Sequence, residues 1–309
     1  MHEPYQKTGY LHSDFRMFYL IDHEKKEFEL HYHDFHKILI FLNGNVSYTV
    51  EGKYFDLQPD DVVLVSAGEI HRPVIHSTIP YERIVIYLSP DFFRTFQNSE
   101  YDLFYCFEQA ARNHSSLIRT RSVPSASGAL PAPAVSPASA VSPTLPVSVA
   151  LPKANAEAFS NLNKELIKAC HSQEFAASLY RRIKFMEYLI LLNRSLLCHS
   201  SLLVHASDFN HTVLNIIEYI NEFITEDLDI EQIAEHFFLT RFHIMHLFKA
   251  ETGITIGRYI TEKRLFIARQ LIQNGSSVTD ACYQSGFRNY SAFYRAFKNK
   301  YQAPPGKLR

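Results

Sequence analysis

Three histidines of this 309-residue chain are placed to act together. His31 and His33 alternate along a segment that reads as a strand, so both imidazoles project to one face. If that face lines an interior, His71 from a later strand can join them. Three imidazoles can hold a divalent cation, which opens an enzyme reading. They can also hydrogen-bond a small polar molecule, or stand with Tyr48 as satisfied wall residues. A second set of chemically able residues lies near the C-terminus. Arg241, Phe242, Met245, His246 and Lys249 fall on one helix face. Tyr290, Ser291, Tyr294, Arg295 and Lys298 fall on another, with Arg288 just before it. Aromatic and sulfur side chains beside cations suit a helix that touches base edges, thymine methyls and phosphates.

The elements that carry this second set repeat. Residues 231–253 (EQIAEHFFLTRFHIMHLFKAETG) and 279–301 (TDACYQSGFRNYSAFYRAFKNKY) share one layout. Each has a short helix with small residues at its centre (Ala234; Ala281 and Cys282), a tight turn, and a second helix ending in Phe-Lys. The two Phe-Lys pairs, Phe248-Lys249 and Phe297-Lys298, lie 49 residues apart. Small residues let two helices cross closely, so each unit reads as a helix–turn–helix. Thr240 and Asn289 stand where a cap should open each second helix. Ile244, Leu247 and Phe248, then Phe293, Ala296 and Phe297, are the inward faces.

Charge separates the chain into two parts. The total of −1 argues against a nucleic-acid partner only if charge is evenly spread. It is not: residues 240–309 hold 12 Lys plus Arg against 3 acids, whereas residues 1–239 hold 19 against 29. A basic block of +9 that carries two helix–turn–helix units is the footprint of a DNA-binding domain. No apolar run is long enough to span a membrane, and the first twenty residues lack the pattern of a secretion signal. Four cysteines without metal spacing point to the reducing cytoplasm and to small buried thiols.

Upstream, residues 15–88 read as short strands at about ten-residue spacing, including EFELHYH (27–33) and HKILIFL (36–42). That spacing predicts an antiparallel sandwich or barrel. Ser89-Pro90 then opens a helix. Residues 122–152 carry no charge and hold seven of the fourteen prolines, which predicts an extended, mobile tether. Helices resume at 156–205. In KFMEYLILLNRSLL, the residues Phe185, Met186, Leu189, Ile190, Leu192, Leu196 and Leu197 form a broad apolar face. It can cover the barrel or pair with a second subunit.

The block from Asn210 to the C-terminus resembles the tandem helix–turn–helix domain of AraC/XylS-type bacterial transcription regulators. The stretch Gly286 to Pro305 is the most specific part. The resemblance implies a seven-helix domain whose linker helix, about 256–273, sets the two units in successive major grooves. The family's base-reading positions fall on Phe242, Met245 and His246, and on Tyr290, Ser291, Tyr294 and Arg295. Phe238 stands where the family often has a small residue, His246 where it usually has Arg, and Gln302-Ala303-Pro304-Pro305 where it often has Gly-Val-Thr-Pro. Residues 31–74 resemble the cupin-like effector domain found in front of many such regulators. A cupin enzyme usually adds a carboxylate a few residues after His-x-His, but here Lys37 stands there, with His36 beside it.

An α+β multidomain protein is therefore expected. Residues 1–121 form an antiparallel cupin-like β-barrel with flanking helices. Residues 122–152 form the tether, 153–206 the helices that complete the sensor and its dimer interface, and 207–309 the all-α tandem helix–turn–helix domain. The expected function is an effector-controlled bacterial regulator, an activator rather than an enzyme. Its partners are promoter DNA, RNA polymerase, a second copy and a small polar effector such as a sugar, with no membrane contact. His31, His33, His36, Tyr48 and His71 are the effector residues, and no resident metal or cofactor is expected. The alternatives are a metal-dependent cupin enzyme with a fused helical tail and a regulator that senses no small molecule. Limited proteolysis of the full chain should cut first within 122–152, and resistance there would refute the tether.

Overall fold

The computed structural model describes residues 11, 13–121, 153–204 and 211–307, so the tether and the boundary near 206 lie outside the described residues. The N-terminal strands are β1 (Phe15–Asp22), β2 (His36–Asn43), β3 (Val46–Val50), β4 (Lys53–Asp56), β5 (Asp61–Val65), β6 (His71–Ile75) and β7 (Tyr81–Leu88). Helices α1 (Pro90–Phe96) and α2 (Tyr105–Arg112) follow, then β8 (Leu117–Arg119), α3 (Lys153–His171), α4 (Ala177–Cys198) and β9 (Leu203–Val204). Ser89 caps α1 by accepting from the Phe92 amide, with Pro90 in the first turn.

The strands do not close into a barrel. They form a six-stranded sheet, β1-β7-β2-β5-β8-β9, facing a three-stranded sheet, β4-β3-β6. All their pairings are antiparallel. The segment 27–33, expected as a strand, contributes only an isolated bridge between His31 and His71. Its reason is packing: His31 and His33 turn towards the sheets, while Tyr32 joins a core built by the C-terminal helices.

Period-two alternation gives the larger sheet two apolar faces. Leu39, Phe41, Val63, Val65 and Val85 face the small sheet with Tyr48 and Phe55. Ile38, Ile40, Val62, Leu64 and Ile86 face the opposite way and are covered by Phe107 of α2, Phe159 of α3, and Phe185, Leu189, Leu192 and Leu196 of α4. Asn193 ties α4 to α2 by accepting from the Cys106 amide at 2.8 Å. Thus the 156–205 segment covers the sheet. Its far side also leaves Leu179, Ile183, Ile190 and Leu197 exposed. Cys106 and Cys282 are buried as expected, whereas Cys198 is exposed.

The alternation also removes His36 from the effector set. His36 shares the helix-covered face with Ile38. Its ring lies 4.9 Å from that of Phe104 and 5.2 Å from that of Phe107. It accepts from the Ala67 amide at 3.2 Å. Burial pushes its pKa down to about 4 from 6.5.

The C-terminal part has six α-helices among the described residues. They are α5 (His211–Glu222), α6 (Ile230–His236), α7 (Arg241–Thr252), α8 (Ile256–Gln273), α9 (Val278–Gln284) and α10 (Tyr290–Tyr301). A 3₁₀ turn, Pro305–Lys307, follows where a seventh helix was expected. Two cores serve them, one around Ile233, Ile244, Phe248 and Tyr259, the other around Leu265, Ala281, Cys282, Phe293 and Phe297.

Two expectations test this packing. Leu189→Ala should cost about 2–5 kcal/mol in urea unfolding, because it opens a cavity under the sheet, whereas Leu197→Ala should change little. Equal effects would contradict the assignment of faces. Second, His36 stays neutral in the folded state while the unfolded chain takes up its proton below about pH 6.5. Stability should therefore fall between about pH 6.5 and 4, and His36→Phe should flatten that fall; an unchanged profile would contradict the burial.

Candidate nucleic-acid interface and effector pocket

The first helix–turn–helix is built by local rules. Asp229 and Gln232 form a reciprocal capping box at the start of α6. Ala234 is buried at the crossing, and Thr240 caps α7 by accepting from the His243 amide at 3.3 Å. The turn between the helices places Phe238 at φ 55°. That left-handed conformation explains why a small residue is usual there. Phe238 keeps an aromatic ring at the position, 96% exposed.

The second unit follows the same plan. Ser277 caps α9 and Asn289 caps α10, accepting from Asp280 and Ala292 amides. Its turn holds Gly286 at φ 91°, where an added Cβ would stand 2.8 Å from the Ile224 carbonyl oxygen. Only glycine fits this approach between the second unit and the α5–α6 connection. The two units are joined by α8, 18 residues or about 27 Å long, a span comparable to the roughly 34 Å between successive major grooves.

The proposed reading residues sit where a groove could meet them. Ile244 and Phe248 of α7, and Phe293 and Phe297 of α10, are fully buried. Arg241, Phe242, His246 and Lys249 are exposed, and Met245 is half-buried. Phe242 is 85% exposed, which a soluble helix has no internal reason to keep. Arg288, Tyr290, Ser291, Tyr294, Arg295 and Lys298 are likewise exposed. Arg241 pairs with Glu231, and Arg288 with Asp227. Such surface pairs are worth about 0–1 kcal/mol, so a phosphate can displace the carboxylate.

The histidines of the sensor come together as a trio. Ring centroids lie 4.4 Å apart for His31 and His71, and 4.7 Å for His33 and His71. Tyr48 stacks 6.0 Å from His71. Burial, then the Lys37 charge, hold His33 and His71 well below the ordinary imidazole range. Lys37 points into the same space and donates to the Tyr48 Oη at 2.8 Å. Among the described residues, no three His, Cys, Asp or Glu side chains are placed to hold a metal ion.

Sequence reasoning missed the junction between the two parts. It assigned the helices of 153–206 to completing the sensor and its dimer interface, yet the helical domain rests chiefly on three other sensor segments, with His114 also 2.9 Å from Glu218. Glu51, at the tip of the β3–β4 hairpin, accepts from Lys263 Nζ at 2.8 Å and from the Tyr259 hydroxyl. Asp34 pairs with Arg269 at 2.9 Å. Tyr32 lies against Phe266, with its hydroxyl 3.3 Å from that of Tyr301 and Lys300 over its ring. Gly68, at φ 84°, brings the third segment against α8, where a Cβ would stand 2.6 Å from the Phe266 ring. The only signal in the sequence was Tyr259 and Lys263 spaced by one helical turn.

Two family models match the chain. One, an AraC-like ligand binding domain, covers residues 17–125, and the other, a helix-turn-helix domain, covers residues 233–309. The HTH-type transcriptional activator RhaS of Salmonella schwarzengrund (strain CVM19633) is 30% identical over 143 residues, 46% of this chain and 50% of the relative. The match thus spans half the length of that relative. The RhaS of Enterobacter sp. (strain 638) is 24% identical over 284 residues, 91% of this chain and 87% of the relative. A solved structure of ToxT from Vibrio cholerae aligns over 96% of this chain and 97% of that one at 13% identity, with a TM-score of 0.33. With both models matched in chain order, this is a protein of the AraC/XylS type, an AraC-like ligand-binding domain followed by a tandem helix–turn–helix domain.

Proposed function

We propose that the chain is a cytoplasmic, sequence-specific transcription activator that reads promoter DNA with α7 and α10 under control of a small polar effector of the sugar type. The observation that carries this reading is the arrangement around α8. On one side, two capped helices present exposed Phe, Tyr, Arg and Lys to solvent. On the other, Tyr259, Lys263, Phe266 and Arg269 rest on the sensor. The activator part rests on the names of the RhaS relatives. The effector site is the space bounded by His31, Lys37 and Tyr48. The exposed apolar side of α4 supports pairing with a second copy, and RNA polymerase is the partner that an activator requires.

Control passes through residues 31–34. His31 lines the pocket and His33 packs against His71, while Tyr32 and Asp34 face α8 and α10, so a shift on one side is felt on the other. An effector acts by preferring one of the two resulting arrangements.

Binding of the full chain to promoter fragments next to its gene should weaken steeply with added salt, as released counterions require. Salt-insensitive binding, or none to any fragment, would sink the proposal. Arg295→Ala should cost specific binding about 1–3 kcal/mol and non-specific binding less. Equal loss on both would mean that Arg295 touches phosphate only.

A further inference from the structure

We propose that Phe238, in the turn between α6 and α7, is a further DNA contact whose ring packs on the deoxyribose of the strand bordering the groove that α7 reads. The proposal rests on the regulator reading and adds a residue to its interface.

The second unit shows what this turn needs. Phe237 closes α6, after which the Phe238 amide donates to the Glu235 carbonyl at 3.1 Å and the Leu239 amide to the Ala234 carbonyl at 2.9 Å. Ser285 closes α9, after which the Gly286 amide donates to the Tyr283 carbonyl at 3.0 Å and the Phe287 amide to the Cys282 carbonyl at 3.2 Å. Phe238 and Gly286 therefore hold one structural position, at φ 55° and φ 91°. Glycine adopts that conformation freely, whereas a bulky side chain rarely does.

The fold does not use the ring that is held there. Phe237 lies 5.7 Å from Tyr219, and Leu239 packs on the helical core. Between them the Phe238 side chain is 96% exposed and makes no ring contact among the described residues. Other long side chains at positive φ find partners within the protein. Glu51 meets Lys263, Asp60 meets Asn163, His114 meets Glu218, and Gln302 donates to the Asn299 carbonyl. The Phe238 ring meets only solvent, so its partner lies outside the chain.

That partner follows from where the turn leads. Thr240 caps α7 two residues later, and the exposed Arg241 and Phe242 open the helix. A recognition helix enters the major groove with its N-terminal residues at the base edges. The turn that feeds it then stands at the rim of the groove, over the sugar–phosphate strand. An uncharged ring gains little from phosphate, but it covers apolar area on the deoxyribose carbons. Phe242, inside the helix, reads bases; Phe238, outside it, fixes how α7 sits. Sugar contacts carry no sequence information, so the ring adds affinity on any duplex.

Fluorescence anisotropy of the full chain with a promoter fragment and with an unrelated duplex of equal length tests this. Phe238→Gly should weaken both by the same factor, about four- to tenfold for covering half of a phenylalanine side chain. The slope of affinity against salt should not change, because no charge is lost. The Tm of this variant should stay or rise, since glycine relieves the turn. Phe238→Tyr should bind like the wild type. Undiminished binding by Phe238→Gly would overturn the proposal, and a loss of promoter activation alongside it would assign the ring to RNA polymerase. A loss confined to the promoter fragment would overturn it too, since the ring would then read bases. So would a lower Tm, which would make the ring part of the fold. The wild type tests the regulator reading separately: only its failure to bind either duplex would strike both.

Discussion

The Glu51 carboxylate holds the two domains in one relation, and the rest of the arrangement follows from how it is satisfied. Glu51 stands at φ 47° in the two-residue turn that joins β3 to β4, with Gly52 at φ 77°. A non-glycine residue adopts this conformation at a cost of about 1–2 kcal/mol. In return its side chain reaches the helical domain. Burial would push the carboxyl up, but the Lys263 ammonium, the Tyr259 hydroxyl and the Ile70 amide outweigh that and hold it below the ordinary carboxylate range. Removing one partner of such a buried pair leaves the other uncompensated, at about 3–5 kcal/mol.

Around this polar contact the junction is apolar. Tyr32 and Ile70 of the sensor belong to the same core as Ile217, Phe248, Tyr259 and Phe266 of the helical domain. The extended residues 31–34 therefore have two duties at period two. His31 and His33 stay with His71, and Tyr32 and Asp34 stay with α8 and α10. That division also explains why the segment is not a regular strand. A strand needs its backbone paired along its length, and here the pairing is reduced to the His31–His71 bridge and one bond from the Gly68 amide to the His33 carbonyl. The helices α3 and α4 lie on the other face of the large sheet.

What the sequence made legible is what local chemistry dictates. Caps at Thr240 and Asn289, small residues at the crossings and apolar spacing placed both helix–turn–helix units, because those signals act within one or two turns. Alternation placed most strands. It could not say which face of β2 looked inward, so His36 was grouped with His31 and His33, although its neighbour Lys37 is the one that faces the pocket and adjacent residues of a strand point apart. Nor could it separate a closed barrel from two facing sheets, since closure depends on pairing between distant edges. The junction was invisible for the same reason. Tyr32 and Tyr301 meet across nearly the whole chain, and Glu51 read only as part of a turn. The opposite charges of the two parts were legible, but not that Glu51–Lys263 and Asp34–Arg269 would join them.

Hydrogen exchange of the full-length Glu51→Gln protein tests the coupling of the two domains most directly. Amides at 31–34, 67–72 and the first half of α8 should lose protection together, while 38–41, 62–65 and 84–88 in the large sheet keep theirs. Exchange that changes only at the hairpin tip, or not at all, would contradict a shared junction and leave the two domains independent.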